Sequence, residues 1–378
     1  MSDLQGITAA AEPLLVRKLH TEGRKLGIPV SGTFELTSGC NFNCKMCYIH
    51  AHNEKPGEKK ELTAAEWLDI GRQAAQAGTV FLLLTGGEPL LRQDFPEIYT
   101  GLKQLGMMIS INTNGYLLNG KIAELLEKNP PMRLNVTLYA DSNDGYRKQC
   151  GVGAFDRVVR NIRRMKNAGI ETKLNVTFTG ENADRCEDIA ALVRKLALHC
   201  QSTVYTYPPV RKDGAGAPTV RLSPEQAARL RIRWDILRSG SDSMQSALRQ
   251  LLQMQTRECE DIDRPVEGVR CRAGHTAYWI DSQGKMLMCG MIPVSEGSVT
   301  ENGFSACWEK TRAFAQSVRM PAKCTACRLR PVCCVCPAAC YAETGEFTQA
   351  PRYLCEMSEC LADELSRLYQ EGSNVRNQ

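Results

Sequence analysis

No stretch of this 378-residue chain approaches the ~20 consecutive apolar residues that a membrane-spanning helix needs, and Met1 to Gly23 lacks the apolar core of a secretory signal. Neither a membrane protein nor an exported one is expected, and the expected compartment is the cytoplasm. Charge of one sign is nowhere gathered into a block: 47 Lys and Arg stand against 42 Asp and Glu, spread along the chain. The net charge of +5 is modest for this length and gives no basic stripe of the kind that binds nucleic acid. Internal repeats and low-complexity segments are also missing, which excludes solenoids and fibrous arrays.

What remains is an ordinary globular composition, 43% hydrophobic and 24% charged, long enough for about two domains. Cysteine is the anomaly. Eighteen thiols without an export signal argue against a disulfide framework and for metal. Twelve of them fall between Cys259 and Cys360, so a lightly loaded N-terminal part is followed by a ligand-dense C-terminal one.

Along the chain, residues 1–30 read as a short arm with one helix, Leu14, Leu15, Lys18 and Leu19 on one face. Strands and helices then alternate as parallel crossover units do. Strands are expected at Thr33–Thr37, Val80–Leu84, Met107–Asn112, Leu134–Tyr139, Thr172–Phe178 and Ser202–Tyr207, each but the last followed by a helix. Thr63 and Glu66 form a capping box for the first of these helices, and Ser223 with Gln226 forms another for a helix to about Arg238. Leu134, Val136, Leu138 and Leu174, Val176, Phe178 alternate with polar residues, so helices on the outside leave Asn135, Thr137, Tyr139, Asn175 and Thr177 facing inward. The expectation is an α/β fold, a partial (β/α)6 TIM-like barrel over 31–212 with a polar interior. Lys212 to Pro218 reads as a flexible break, 213–257 as a helical linker and 258–360 as a small cysteine-rich domain. Residues 361–378 complete a C-terminal helix, expected at Ser358–Tyr369, and a tail.

The chemistry is concentrated in Cys40-Asn41-Phe42-Asn43-Cys44-Lys45-Met46-Cys47, after the first strand. Four thiolates hold a cubane iron-sulfur cluster, so three leave one iron open to a reactive ligand. Spacing alone also suits a zinc site closed by His50 or His52. Thr85-Gly86-Gly87-Glu88-Pro89 ends the second strand, where glycine permits close backbone approach and Glu88 carries a carboxylate. Asn112-Thr113-Asn114-Gly115 ends the third.

With these motifs the chain resembles the radical S-adenosylmethionine (SAM) superfamily, whose signature is three cysteines at this C-x3-C-x2-C spacing. The resemblance implies a 4Fe-4S cluster on Cys40, Cys44 and Cys47, its open iron chelated by SAM. It implies that Gly86, Gly87, Glu88 and Pro89 bind the methionyl amino group, that Thr113 and Asn114 contact SAM, and that Met46 or Tyr48 lies near the adenine. Thr137, Asn175 and Ser142 are further candidate contacts, with turn or packing roles open for each.

The C-terminal part has its own pattern. Cys271 and Cys289 flank a hairpin read over Thr276–Met288, and Cys324-x2-Cys327-x5-Cys333 leads to Cys334, Cys336, Cys340 and Cys355. This resembles the SPASM extension of radical SAM enzymes, which binds two auxiliary 4Fe-4S clusters. The resemblance implies Cys324, Cys327, Cys333 and Cys355 for one, and Cys271, Cys289 and Cys336 or Cys340 for the other. The pattern departs at Pro337, where a thiol is expected, and a zinc ribbon uses the same paired thiols. Cys150, Cys186, Cys200, Cys259, Cys307 and Cys360 read as free or core thiols.

The implied activity is that of a radical SAM oxidoreductase: reductive cleavage of SAM to a 5'-deoxyadenosyl radical that takes hydrogen from carbon. The SPASM group is rich in peptide maturases, so the expected substrate is a peptide or protein, with a separate leader-binding protein as an optional partner; that residues 1–30 are too short to be a leader-binding domain counts against the peptide reading without excluding it. A reductant such as flavodoxin or ferredoxin is implied; nucleic-acid and membrane partners are not. A porphyrin-like or sugar metabolite is the competing substrate class, and a non-catalytic metal scaffold the competing function. No catalytic acid or base is assigned.

Overall fold

The computed structural model describes residues 13–49, 61–210, 220–238, 268–325 and 327–374, with side chains through 370. His50, His52, Cys259, the break at 212–218, the helix expected over 243–257, the first twelve residues and the last four lie outside them.

Six parallel strands stand side by side in chain order: β1 (Ser31–Glu35), β2 (Phe81–Thr85), β3 (Met108–Thr113), β4 (Arg133–Thr137), β5 (Thr172–Thr177) and β6 (His199–Thr203). Before them comes α1 (Leu14–Leu26). Between them run α2 (Ala64–Gln76), α3 (Phe95–Gln104), α4 (Gly120–Lys128), α5 (Asn143–Cys150), α6 (Phe155–Asn167) and α7 (Cys186–Leu196). Both capping boxes form: Thr63 and Glu66 exchange bonds of 2.7 and 3.3 Å at α2, Ser223 and Gln226 bonds of 3.0 and 3.1 Å at α8 (224–238).

Helices cover one face of the sheet, and the alternation read from the sequence follows from that. Leu134, Val136, Leu174 and Val176 are buried in one continuous core with Trp67, Ile98, Ile162 and Ile189, whereas Asn135, Thr137, Asn175 and Thr177 are half-buried on the other face. The parallel register lines these up in rows across the interior, Asn112 with Asn135, then Thr137 with Asn175 and Gln201. β6 begins three residues before the expected strand. As an edge strand it buries only Cys200, so its polar sequence carries no apolar period to mark it.

The hairpin forms as expected from β7 (Ala277–Ile280) and β8 (Lys285–Leu287), and β9 (Ser295–Ser298) adds a third antiparallel strand. Yet it is not a separate sheet. β7 pairs in parallel with the free side of β1, so one nine-stranded sheet runs through barrel and C-terminal part. Around it lie α9 (Val299–Asn302), α10 (Phe304–Ser317), α11 (Ala322–Thr325), α12 (Pro337–Thr344) and α13 (Arg352–Asn374). α13 starts six residues earlier than expected, directly after Pro351, because Leu354, Met357 and Leu361 continue its buried face. On α1 the leucine face points outward, Leu14 being 79% exposed, while His20 and Gly23 face the molecule. No described helix is long and apolar enough to cross a membrane.

Candidate active site

The Cys40 loop leaves the C-terminal end of β1 and is fastened on three sides. The base of the loop is stitched to the glycine turn: Gly87 N–H donates to the Thr37 carbonyl (2.8 Å) and Glu88 N–H to that of Gly39 (2.9 Å). A Cβ on Gly86 would stand 2.5 Å from Thr37 O, and one on Gly87 2.3 Å from Gly39 O, so both glycines are required by this backbone contact itself. Further along, Asn43 and Lys45 N–H groups donate to the carbonyls of Cys150 (2.9 Å) and Gln149 (3.0 Å) at the end of α5. Phe42 anchors the loop tip edge-on against Tyr116 and Tyr146.

Glu88 is fully buried, and its oxygens accept from Thr113 Oγ1 (2.8 Å), Asn114 N–H (2.7 Å) and Leu90 N–H (3.2 Å). Its carboxylate therefore locks the end of β3 to the glycine turn. Burial pushes its pKa up to about 7, the three donors pulling against that shift. Asn114 extends the lock to the loop, its Nδ2 donating to Asn41 Oδ1 (2.8 Å) and lying 3.9 Å from the Cys40 sulfur. Phe42 N–H also donates to that sulfur, at 3.4 Å. Two donors aimed at one sulfur suit a thiolate ligand rather than a thiol.

The three loop thiols share one electrostatic neighbourhood. Burial first, then Glu88, Cys44 and Cys47, pushes the Cys40 thiol up to about 12. Cys44 lies well above the usual thiol range, raised first by the side chain of Cys150 and then by burial, with the Tyr139 hydroxyl opposing. Three partly desolvated thiols of one loop, with two donors directed at the Cys40 sulfur, fit a cluster that takes them as thiolates and displaces their protons. Among the described residues no group of three or more His, Cys, Asp or Glu side chains converges as it would around a single metal ion.

Of the other candidates, Met46 is buried and Tyr48 half-buried, its carbonyl accepting from Val210 N–H at 3.1 Å. Pro89 opens a single helical turn. Thr137 and Asn175 sit side by side on the interior face. Ser142 caps α5, its Oγ accepting from Gly145 N–H at 3.1 Å.

In the C-terminal part the thiols form two neighbourhoods joined through Cys334 and Cys340. Burial pushes Cys289 up to about 12, with Cys336 and Cys271 adding to it, so these three are neighbours. Burial likewise raises Cys324, and Cys355, Cys333 and Cys327 raise it further. Cys340 is fully buried and feels Cys324 most among its thiol neighbours, ahead of Cys336 and Cys333. The structure thus brings Cys336, at the N-cap of α12, to Cys271 and Cys289. Cys334 lies beside Cys333 and Cys336. Cys150, Cys186, Cys200 and Cys307 are buried, and Cys360 packs in a small cluster with Val332 and Leu361.

Three features are missed by sequence reasoning. Arg92 donates to the carbonyls of Leu36 (2.7 Å) and Leu62 (2.9 Å) while paired with Asp94, and Glu61 accepts from Thr37 Oγ1 and Ser38 N–H, a polar brace under the loop. Cys150 is a fourth thiol against Cys44. Glu35, facing inward from β1, accepts from Trp279 Nε1 at 2.9 Å and joins the barrel interior to β7. Arg92, two residues after Leu90 in a turn, carries no local signal that distinguishes it from a surface cation.

Residues 34–193 match the profile of the Radical SAM superfamily. The chain is 28% identical over 339 residues to the AdoMet-dependent heme synthase of Methanosarcina barkeri (strain Fusaro / DSM 804), covering 85% of this chain and 94% of that one. Among solved structures it is similar to SuiB of Streptococcus suis bound to S-adenosylmethionine, with a TM-score of 0.64, 18% identity, and 89% and 80% of the two chains covered. Native anSMEcpe with bound AdoMet gives a TM-score of 0.68 at 17% identity, covering 92% of this chain and all of that one. At such identities these two show the fold. Thiol loop, glycine turn and partial barrel agree with the family profile: residues 34–193 form a radical SAM domain, followed by the cysteine-rich C-terminal part, and the cofactors are 4Fe-4S iron-sulfur and SAM.

Proposed function

We propose that this radical SAM enzyme acts on a peptide or protein substrate held in the barrel mouth. The observation that carries this reading is the interior row of uncharged amides and hydroxyls, Asn112 bonded to Asn135 (2.9 Å) and Thr137 beside Asn175 and Gln201. Amide side chains donate and accept together, as peptide groups do. Cys40, Cys44 and Cys47 would hold the SAM-binding cluster, with Gly86 to Pro89, Thr113 and Asn114 framing SAM and Met46 or Tyr48 beside the adenine. When bound, this pair supplies a 5'-deoxyadenosyl radical able to take hydrogen from an unactivated carbon. The residues around it exclude water, since the Glu88, Thr113 and Asn114 lock is buried. Cys324, Cys327, Cys333 and Cys355 would hold one auxiliary cluster, and Cys271, Cys289 and Cys336 would ligate the other, with Cys340 and Cys334 beside them. We assign the barrel to 31–212 and the auxiliary domain to 258–360, a cytoplasmic location, a flavodoxin- or ferredoxin-like reductant, and a separate leader-binding protein.

A second reading has its own support. Half-buried Lys173, which donates to Gln201, and exposed Arg133, paired with Glu171, lie on the same strand face as cations suited to carboxylates, and the heme synthase relative is matched along nearly its whole length. A porphyrin-like metabolite fits those two facts. The test is anaerobic reconstitution with dithionite and SAM, counting iron and assaying 5'-deoxyadenosine with candidate precursor peptides and with a carboxylated tetrapyrrole. About twelve irons are expected for three clusters. Deoxyadenosine formation stimulated by peptide supports the first reading and by tetrapyrrole the second; no SAM cleavage with bound zinc would leave only a scaffold.

A further inference from the structure

We propose that Tyr207 donates a hydrogen bond to the sulfur of Cys336 and so sets the reduction potential of the auxiliary cluster ligated by Cys271, Cys289 and Cys336. The inference rests on the reading of those three thiols as cluster ligands. Tyr207 follows β6 at the mouth of the barrel, where its ring packs against both the main core and the small C-terminal core that contains Met288 and Ile292. Its hydroxyl stands 3.8 Å from Cys336 Sγ, within hydrogen-bond distance for sulfur. A cysteine ligating iron has no proton, so in that pair only the phenol can donate.

The contact is held in place from behind. Tyr205, two residues earlier, meets the Tyr207 ring edge-on at 4.7 Å and donates to Glu343 Oε1 at 2.6 Å. Glu343 lies on α12, seven residues after Cys336 at the N-cap of the same helix, so both face one side of it. Arg221 completes the clamp, paired with Glu343 at 2.5 Å and stacked 3.5 Å over the Tyr353 ring. Two tyrosines of one extended segment thus grip two points of the helix that presents Cys336.

Reduction adds negative charge to a cluster, and a donor at a ligand sulfur stabilises that charge. Tyr207 is therefore a positioning residue whose removal makes the cluster harder to reduce. The test is a potentiometric titration, followed by electron paramagnetic resonance, of the reconstituted full-length protein. Tyr207→Phe is expected to lower the reduced-to-oxidised ratio of one auxiliary cluster about tenfold at fixed potential, a shift of about 59 mV for one electron, leaving the other clusters and the iron count unchanged. Tyr205→Phe, which cuts only the Glu343 bond, is expected to leave that potential in place. 3-Fluorotyrosine at position 207, a stronger donor of nearly the same volume, is expected to raise it, and keeps the test decisive where the Phe variant loses iron. An unmoved potential in the position-207 variants, or an equal shift in Tyr205→Phe, overturns the proposal. Absence of the auxiliary clusters from the wild-type protein would overturn instead the assignment of the thiols on which it rests.

Discussion

The barrel and the C-terminal domain both gather thiols, but they differ in what holds them up. In the barrel the candidate cluster thiols occupy one loop above a core that runs without interruption from Phe34 through Trp67, Ile98, Leu134 and Ile162 to Val193. That core continues through the shared sheet into Tyr278, Ile280, Phe304, Trp308 and Leu354 of the C-terminal domain, whose additional clusters are small, six buried residues around Ile292 and four that join Val332 and Leu361 to Ala228 and Ile232 of α8. Small domains with little apolar burial lean on metal for stability. The expectation is that metal in the barrel serves chemistry alone, whereas metal in the C-terminal domain also supports the packing around those small clusters.

The comparison is most exposed to Cys44→Ala. SAM cleavage is expected to fall more than about 1,000-fold while amide-exchange protection of β1 to β6 is retained; loss of that protection would show that the barrel also depends on its cluster. Trp67→Ala comes next, removing a fully buried ring that packs 4.9 Å from Phe34, at an expected cost of about 3–5 kcal/mol in denaturant unfolding of the barrel. Glu88 gives the barrel a pH dependence independent of metal. With a folded pKa raised from 4.5 to about 7, the native state keeps a proton that the unfolded chain has already released. Stability of the cluster-free protein should fall by up to about 3 kcal/mol as pH rises from 4.5 to 7, and Glu88→Gln should flatten that slope in urea titrations at several pH values. The smallest expected effect is that of iron removal on exchange: chelation should speed exchange in β8 and α12 about 100-fold and leave β3 and β4 unchanged. Equal acceleration in both regions would erase the distinction.

How much of this could be read beforehand depended on whether a signal was local. Cys40, Cys44, Cys47 and the Gly86 to Pro89 turn announce themselves within a few residues, and the capping boxes at Thr63 and Ser223 and the alternation in β4 and β5 are just as short-ranged. The bonds of Arg92 to Leu36 and Leu62 and of Glu61 to Thr37, the Cys150 contact with Cys44 and the parallel pairing of β7 with β1 join residues far apart in sequence, and nothing in either neighbourhood marks its partner. The choice between Cys336 and Cys340 was open for a related reason. Their spacing is compatible with either, and the start of α12 at Pro337, which leaves Cys336 at the N-cap and buries Cys340 within the helix, is not marked in that spacing.

The pairing of β7 with β1 also has a consequence for biosynthesis. β1 leaves the ribosome first, yet the neighbour on one of its edges is encoded roughly 240 residues later, so at 5–20 residues per second that edge waits about 12–50 s for its partner. Throughout that interval Ser31 to Phe34 present unpaired backbone groups to any other extended chain. Truncation after the barrel would make the wait permanent, and a nascent or shortened chain of this kind is expected to need a chaperone that the finished protein does not.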